Sequence, residues 1–296
     1  MKKNVALVLA SGGARGLAHI GAIEELQRRG YRITSIAGCS IGSLIGGIYA
    51  AGKIAEAHDW FTSLNRQQVL SLTDFSFGLS HIVKGEKVLH AIQQWVPDCL
   101  IEDLPIPAAF VATDLINSEE VVFRSGSLFR AIRASISIPM CFKPVDYNGT
   151  ILVDGGLVNP FPLNLVQRHE GDILVGINIS GRSRMPEARV IGGSPAFFDK
   201  LGRIGDRAEE MWNHVRQEME QTKHSRGLDY ISLVNRTIDL QIQASCRLMT
   251  QMMKPDVLVE MAQDAYTTFD FDKASEIIDQ GRLLMSQALD RYEQQS

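Results

Sequence analysis

Hydrophobic positions change rhythm along this chain, and each rhythm predicts a different element. Val5–Ala10 is an unbroken apolar run, as expected of a strand covered on both faces within a parallel sheet. From Leu17 the spacing becomes helical (Leu17, Ile20, Ile23, Leu26) and stops at Gly30, and a second short apolar run follows at Ile33–Ala37. Together these predict a βαβ unit whose first turn is the glycine loop Ser11-Gly12-Gly13-Ala14-Arg15-Gly16. Further strands are predicted at Ala108–Ala112, Val121–Phe123, Ile151–Val153, Ile173–Ile179 and Val257–Val259. Helices are predicted at about 42–51, 54–63, 85–96, 127–134 and 196–222, with a terminal helix over Lys273–Tyr292. Strands alternating with helices imply an α/β fold, a three-layer α/β/α sandwich around a mostly parallel sheet. Residues 181–195, rich in Gly, Ser, Arg and Pro, read as an exposed loop. No composition shift or internal repeat marks a boundary, so the expectation is one domain over 1–296, with its motifs in about 5–180 and the later helices and strand completing it.

The uncharged stretch Ile33–Gly52 is long enough for a membrane span of about 20 residues. Six Gly or Ser fall between Gly38 and Gly47, however, which favours a strand, a tight turn and a closely packed helix. The start, Met1-Lys2-Lys3 before Val5–Ala10, is like that of a signal peptide, but its apolar run is shorter than the roughly 7–15 residues expected. Its reading as a buried strand also accounts for the glycine loop. Charge sharpens the picture by exclusion: a formal net charge of −4 with both signs interspersed leaves no footprint for nucleic acid. Cys39, Cys99, Cys141 and Cys246 lie far apart without a CxxC pair, which suggests neither a zinc site nor a disulfide framework and fits a reducing, cytoplasmic setting.

Gly38-Cys39-Ser40-Ile41-Gly42 fits the GxSxG nucleophile elbow and lies, as that motif requires, between an apolar strand and an apolar helix. Small flanking residues permit the sharp turn, and the helix N-terminus beyond it favours developing negative charge. The same string is compatible with a glycine-rich helix start that merely packs closely. The first loop adds weight, because Gly12 and Gly13, with the N–H of Ile41, supply donors for the oxyanion of a tetrahedral intermediate. A dinucleotide fingerprint is the competing reading of that loop. Ser11 occupies its first glycine position and the second strand ends in Gly-Cys-Ser, without the acidic residue that would bind a ribose.

A Ser hydroxyl needs an adjacent base. Asp154-Gly155-Gly156 places a carboxylate at a strand end with an abrupt turn behind it, while Asp114 and Asp172 near other strand ends stay open as alternatives. His19, one turn into the first helix, reads as a structural residue, as do His58, His81, His90, His169, His214 and His224. Arg15 orders the loop or faces a substrate phosphate. Cys39 reads as a small packed residue, and the two carboxylates of Phe269-Asp270-Phe271-Asp272 as caps before a helix.

In this order, Gly12-Gly13-Ala14-Arg15-Gly16 with His19 and Gly21, the Gly38–Gly42 elbow, Ser135 to Pro139, and Asp154-Gly155-Gly156 resemble the patatin-like phospholipases, including the bacterial relatives of neuropathy target esterase. The resemblance covers about residues 5–180. It implies a Ser40–Asp154 dyad, the glycine loop as oxyanion hole, acyl-ester or lysophospholipid substrates, and no metal or other cofactor. Ser11 departs from the Gly often found at the start of the family's loop. Two other outcomes share these motifs: acyl transfer from the same acyl-Ser intermediate, and a binding protein that keeps the fold. Contact with a membrane is expected to be peripheral, with Phe75–Leu79 and Phe197-Phe198 as candidate segments.

Overall fold

The computed structural model describes residues 3–72, 86–139, 142–182 and 230–295. The predicted helix 196–222, most of the 181–195 loop, the segments Phe75–Leu79 and Phe197-Phe198, Cys141, and three of the histidines lie outside them. The chain divides into two compact units, 1–183 with 241–296, and 184–240.

The first unit is built on an eight-stranded sheet: β1 (Asn4–Leu9), β2 (Arg32–Cys39), β3 (Ala108–Asp114), β4 (Glu119–Phe123), β5 (Val145–Tyr147), β6 (Thr150–Asp154), β7 (Ile173–Gly181) and β8 (Val257–Ala262). Their order is β5-β6-β3-β2-β1-β7-β8, with β4 on β3 off this path. Pairings β1–β2, β2–β3, β1–β7 and β7–β8 are parallel; β3–β4, β3–β6 and β5–β6 are antiparallel. Among the described residues of the chain, the helices are α1 (Ala18–Arg28), α2 (Ile41–Ala50), α3 (Ile54–Ser63), α4 (Arg66–Leu72), α5 (Glu86–Gln93), α6 (Leu128–Ser135), α7 (Tyr230–Met253) and α8 (Ala274–Gln295). A 3₁₀ turn, Gly13–Leu17, intervenes between the glycine loop and α1.

Val5, Leu7 and Leu9 point to one face of β1 and Ala6 and Val8 to the other, and all five are fully buried. Both faces of the sheet are therefore covered, as the unbroken apolar run requires. Against one another α1 and α8 pack without room for a side chain: a Cβ on Gly21 would lie 1.9 Å from the Ile278 carbonyl oxygen, and one on Gly281 2.0 Å from that of Ala18. At the ends of the same helices Glu25 binds Arg28 and Arg29, and Arg29 reaches Asp290 and Glu293.

Two features of the sheet position a site. The chain leaves β1 toward β2 on one side, while β7 and β8 add to the other, so the glycine loop departs where the strand order reverses. Such switch points open a crevice at the carboxyl ends of the strands. The second feature concerns β3. Phe110 and Val111 pair with β4 on one edge and with Gly38 and Cys39 of β2 on the other; Ala112 to Asp114 keep β4 but have Asp154 to Leu152 of β6 on the second edge. Thus β2 and β6 run toward each other along the same edge of β3 and meet end to end, Cys39 opposite Val111 and Asp154 opposite Ala112. Among the described residues, no helix is long and apolar enough to cross a membrane.

Candidate active site

Ser40 follows β2 directly and caps α2, with φ 55° and ψ −124°. A non-glycine residue in that region is strained and persists only where its surroundings fix it. The main chain on both sides is fixed: the Ser40 N–H donates to Ser135 Oγ at 2.9 Å, and its carbonyl accepts from the N–H groups of Ser43 and Leu44 at 2.8 and 3.2 Å. The elbow glycines answer to crowding. A Cβ on Gly38 would lie 2.4 Å from the Gly42 carbonyl oxygen, and one on Gly42 2.3 Å from that of Leu9. Helix α2 can begin this close to the end of β2 only with glycine at 38, and this close to the end of β1 only with glycine at 42.

The buried Ser40 hydroxyl donates to Asp154 Oδ2. The other carboxylate oxygen, Oδ1, accepts the Gly156 N–H at 2.7 Å, so the carboxylate is oriented by its own turn. A Cβ on Gly156 would stand 2.9 Å from Asp154 Oδ1 and 3.1 Å from Ser11 Oγ, and one on Gly155 2.4 Å from the Val111 carbonyl oxygen. The two glycines after Asp154 are thus required by close approach. Burial pushes the Asp154 carboxyl up from its ordinary 3.8 to about 6, against the lowering effect of the Ser40 and Gly156 hydrogen bonds. The other acidic residues at strand ends are engaged elsewhere. Asp114 accepts from Thr150 Oγ1, from the N–H groups of Ile116 and Asn117, and from Asn117 Nδ2. Asp172 accepts from Thr34 Oγ1 and from the His169 N–H.

Across from the elbow, the glycine loop is braced from three directions. Ala14 donates its N–H to the Thr268 carbonyl at 2.9 Å, and Ser11 donates to that of Pro160 at 2.8 Å. Arg15 is buried and reaches into the protein, Nε to the Ile179 carbonyl and Nη1 to that of Tyr266, each at 2.9 Å. It orders the loop. Gly13 has φ 61°, and a Cβ there would lie 2.5 Å from the Thr268 methyl carbon; a Cβ on Gly12 would lie 2.8 Å from the Ile179 side chain. Among the described residues, the N–H groups of Gly12, Gly13 and Ile41 donate to no main-chain carbonyl. Gly13 and Ile41 begin helices, where N–H groups lack intrahelical partners.

His19 is fully buried, and its Nε2 lies 3.0 Å from the Ala10 carbonyl oxygen, which makes that nitrogen the protonated donor. Burial pushes it down to about 4, so the ring is neutral and fastens the residue that precedes the loop. Cys39 is buried too, and burial, then the Asp154 charge, pushes its thiol well up. It packs as a protonated thiol. Asp270 precedes the helical turn Phe271–Lys273 but its side chain caps none of that turn's N–H groups; instead it accepts from the upstream Thr267 N–H and from Lys273, which corrects its reading as a helix cap. The bracing by Tyr266 and Thr268 was not readable in the sequence, since neither lies in a motif and both act through main-chain carbonyls. Ser135 was visible as a motif residue, but its contact with the Ser40 main chain was not.

A family model described as patatin-like phospholipase matches residues 7–166. An NTE family protein of Mycobacterium tuberculosis (strain ATCC 25618 / H37Rv) is 34% identical over 331 residues, covering 98% of this chain and 92% of that protein. The mouse patatin-like phospholipase domain-containing protein 6 is 28% identical over 289 residues, which cover 94% of this chain and 20% of the mouse protein. Among solved structures, the crystal structure of VipD from Legionella pneumophila superimposes with a TM-score of 0.50 at 15% identity, covering 98% of this chain and 67% of that one. That likeness is one of fold.

Proposed function

Because this chain belongs to the patatin-like phospholipase family, on the side of its NTE members, we propose that it hydrolyses acyl esters of lipids with Ser40 as nucleophile and Asp154 as base. The hydrogen bond from the Ser40 hydroxyl to Asp154, formed at a strained strand-to-helix turn, carries the reading. Asp154 takes the hydroxyl proton as Ser40 Oγ attacks the ester carbonyl. The tetrahedral oxyanion is held by the N–H groups of Gly12, Gly13 and Ile41, each such donor being worth about 10²–10³ in turnover. Collapse breaks the ester C–O bond, Asp154 returns its proton to the leaving alcohol, and the acyl group remains on Ser40. Water then gives a proton to Asp154 as it attacks the acyl carbon; that proton passes to Ser40 Oγ as the fatty acid leaves.

A carboxylate is an adequate base here because burial raises its proton affinity toward the working pH. Substrates enter as acyl esters, phospholipid or lysophospholipid, and contact with the lipid surface is peripheral. No cofactor enters any step. The test is a fluorophosphonate probe and a medium-chain acyl ester applied to the protein and to Ser40→Ala. Labelling and fatty-acid release by the parent alone are expected; a folded parent that neither labels nor hydrolyses would sink the reading in favour of a binding protein. Adding alcohol acceptors and analysing products separates hydrolysis from acyl transfer.

A further inference from the structure

Ser135 is the last residue of α6 and is fully buried. Its Oγ accepts the N–H of Ser40 at 2.9 Å and donates to the Val111 carbonyl at 2.5 Å. Val111 is the β3 residue opposite Cys39, and its neighbour Ala112 is opposite Asp154. One hydroxyl therefore ties the peptide entering Ser40 to the strand whose register sets the carboxylate. Ser43 Oγ lies 2.8 Å from Ser135 Oγ and 2.9 Å from the Gly38 carbonyl oxygen. Two hydroxyl protons thus serve three contacts. In every arrangement of those protons, the oxygen of Ser135 keeps a lone pair for the Ser40 N–H, since an N–H can only donate.

The consequence is directional. The carbonyl of Ser40 is already held by the first turn of α2, so the Ser135 contact fixes the remaining side of a residue at φ 55°. Without it, the peptide before Ser40 is free to relax toward a more favourable φ, and that rotation carries Cβ and Oγ away from Asp154. The same contact occupies the nucleophile's own N–H, which leaves the N–H of the next residue, Ile41, to face the reacting centre.

We propose that Ser135 is a positioning residue for the reaction, acting through the Ser40 main chain to aim Oγ at Asp154; the proposal rests on Ser40 being the nucleophile. The test compares the full-length protein with Ser135→Ala and with the nearly isosteric Ser135→Cys, whose sulfur is a weak acceptor. Measured are the second-order rate of fluorophosphonate labelling, kcat and KM on the acyl ester, and the fraction folded under assay conditions. A misplacement of about 1 Å costs on the order of 100-fold, so labelling rate and kcat per folded molecule should fall by about 10- to 100-fold. KM should stay within about twofold, since the contact orients the nucleophile and does not touch substrate. Should the alanine variant fail to fold, the cysteine variant decides. Either folded variant labelling at the parent's rate, or losing stability alone with kcat per folded molecule unchanged, overturns the proposal. Failure of the Ser40 reading is recognised separately, because the parent itself would then not label.

Discussion

Replacing Asp154 by Asn removes the ionisable group while keeping nearly the same shape in a site where the carboxyl is fully enclosed. The folded carboxyl titrates at about 6 and an unfolded one at the ordinary 3.8. A group whose proton affinity is raised by folding contributes stability that is complete below the unfolded value and is lost as pH rises through the folded value. Ionised Asp154 thus costs the native state about 2 kcal/mol at pH 5 and about 3 kcal/mol at pH 8, relative to the protonated form. Asn carries no such cost. Whatever constant difference the exchange introduces, the stability of Asp154→Asn relative to the parent should grow by about 1 kcal/mol between pH 5 and pH 8. Urea unfolding at several pH values across that window measures it. In the parent, kcat/KM should fall as pH drops below about 6, where the base becomes protonated, while the Asp154→Asn variant lacks the base at every pH. A stability difference that is flat with pH, or that shrinks toward pH 8, would refute the idea that a buried, reluctantly ionised carboxylate sits beside Ser40.

His19 acts in the opposite sense: its folded value of about 4 lies below the ordinary 6.5, so its contribution is present above pH 6.5 and lost as pH falls through 4, a loss of about 3 kcal/mol. His19→Gln should abolish that acid-side loss in urea unfolding between pH 4 and pH 7, and an unchanged pH dependence would exclude a buried neutral ring. Gly155→Ala places a methyl 2.4 Å from the Val111 carbonyl oxygen; such overpacking should lower unfolding free energy by about 1–3 kcal/mol. It should also cut ester turnover at least tenfold by displacing Asp154, and parent-like turnover would contradict that.

The elements nearest the site were the most legible. An unbroken apolar run, a glycine loop and a helical repeat identify β1, the first turn and α1, because local periodicity alone decides those elements. The elbow at Ser40 and the turn after Asp154 were legible for a related reason: their glycines answer to backbone crowding that only glycine satisfies, at Gly38, Gly42, Gly155 and Gly156. Elements whose existence depends on distant partners were not: β5 has three residues and exists by pairing with β6. The case of α7 is different, since Val234, Ile238, Ile242, Met249 and Met253 recur at helical spacing, a signal the sequence reading did not use. Arg15 was equally ambiguous, since a loop-ordering role and a phosphate-facing role need the same side chain, and its reach to the carbonyls of Ile179 and Tyr266 was not readable in the sequence.

The strain at Ser40 and the proximity of Asp154 have one topological cause. β2 pairs with β3 as far as Cys39 opposite Val111, and one further step in register would bring Ser40 opposite Ala112. That position on the ladder is taken by Asp154 of β6, which arrives along the same edge from the opposite direction. Unable to continue in the sheet, the chain must leave it abruptly at Ser40, and the turn it makes is the strained one that starts α2. The end of β6 that blocks β2 is also the end that bears the carboxylate, so the blockage and the hydrogen bond come together. Successive β3 residues are only about 3.3 Å apart along the strand, and this spacing lets a side chain as short as Asp reach the hydroxyl directly, with no imidazole between them. The direct hydrogen bond between Ser40 and Asp154 is thus a consequence of two strands meeting head-on, and lengthening the chain at either end of that junction would undo both the turn and the pair.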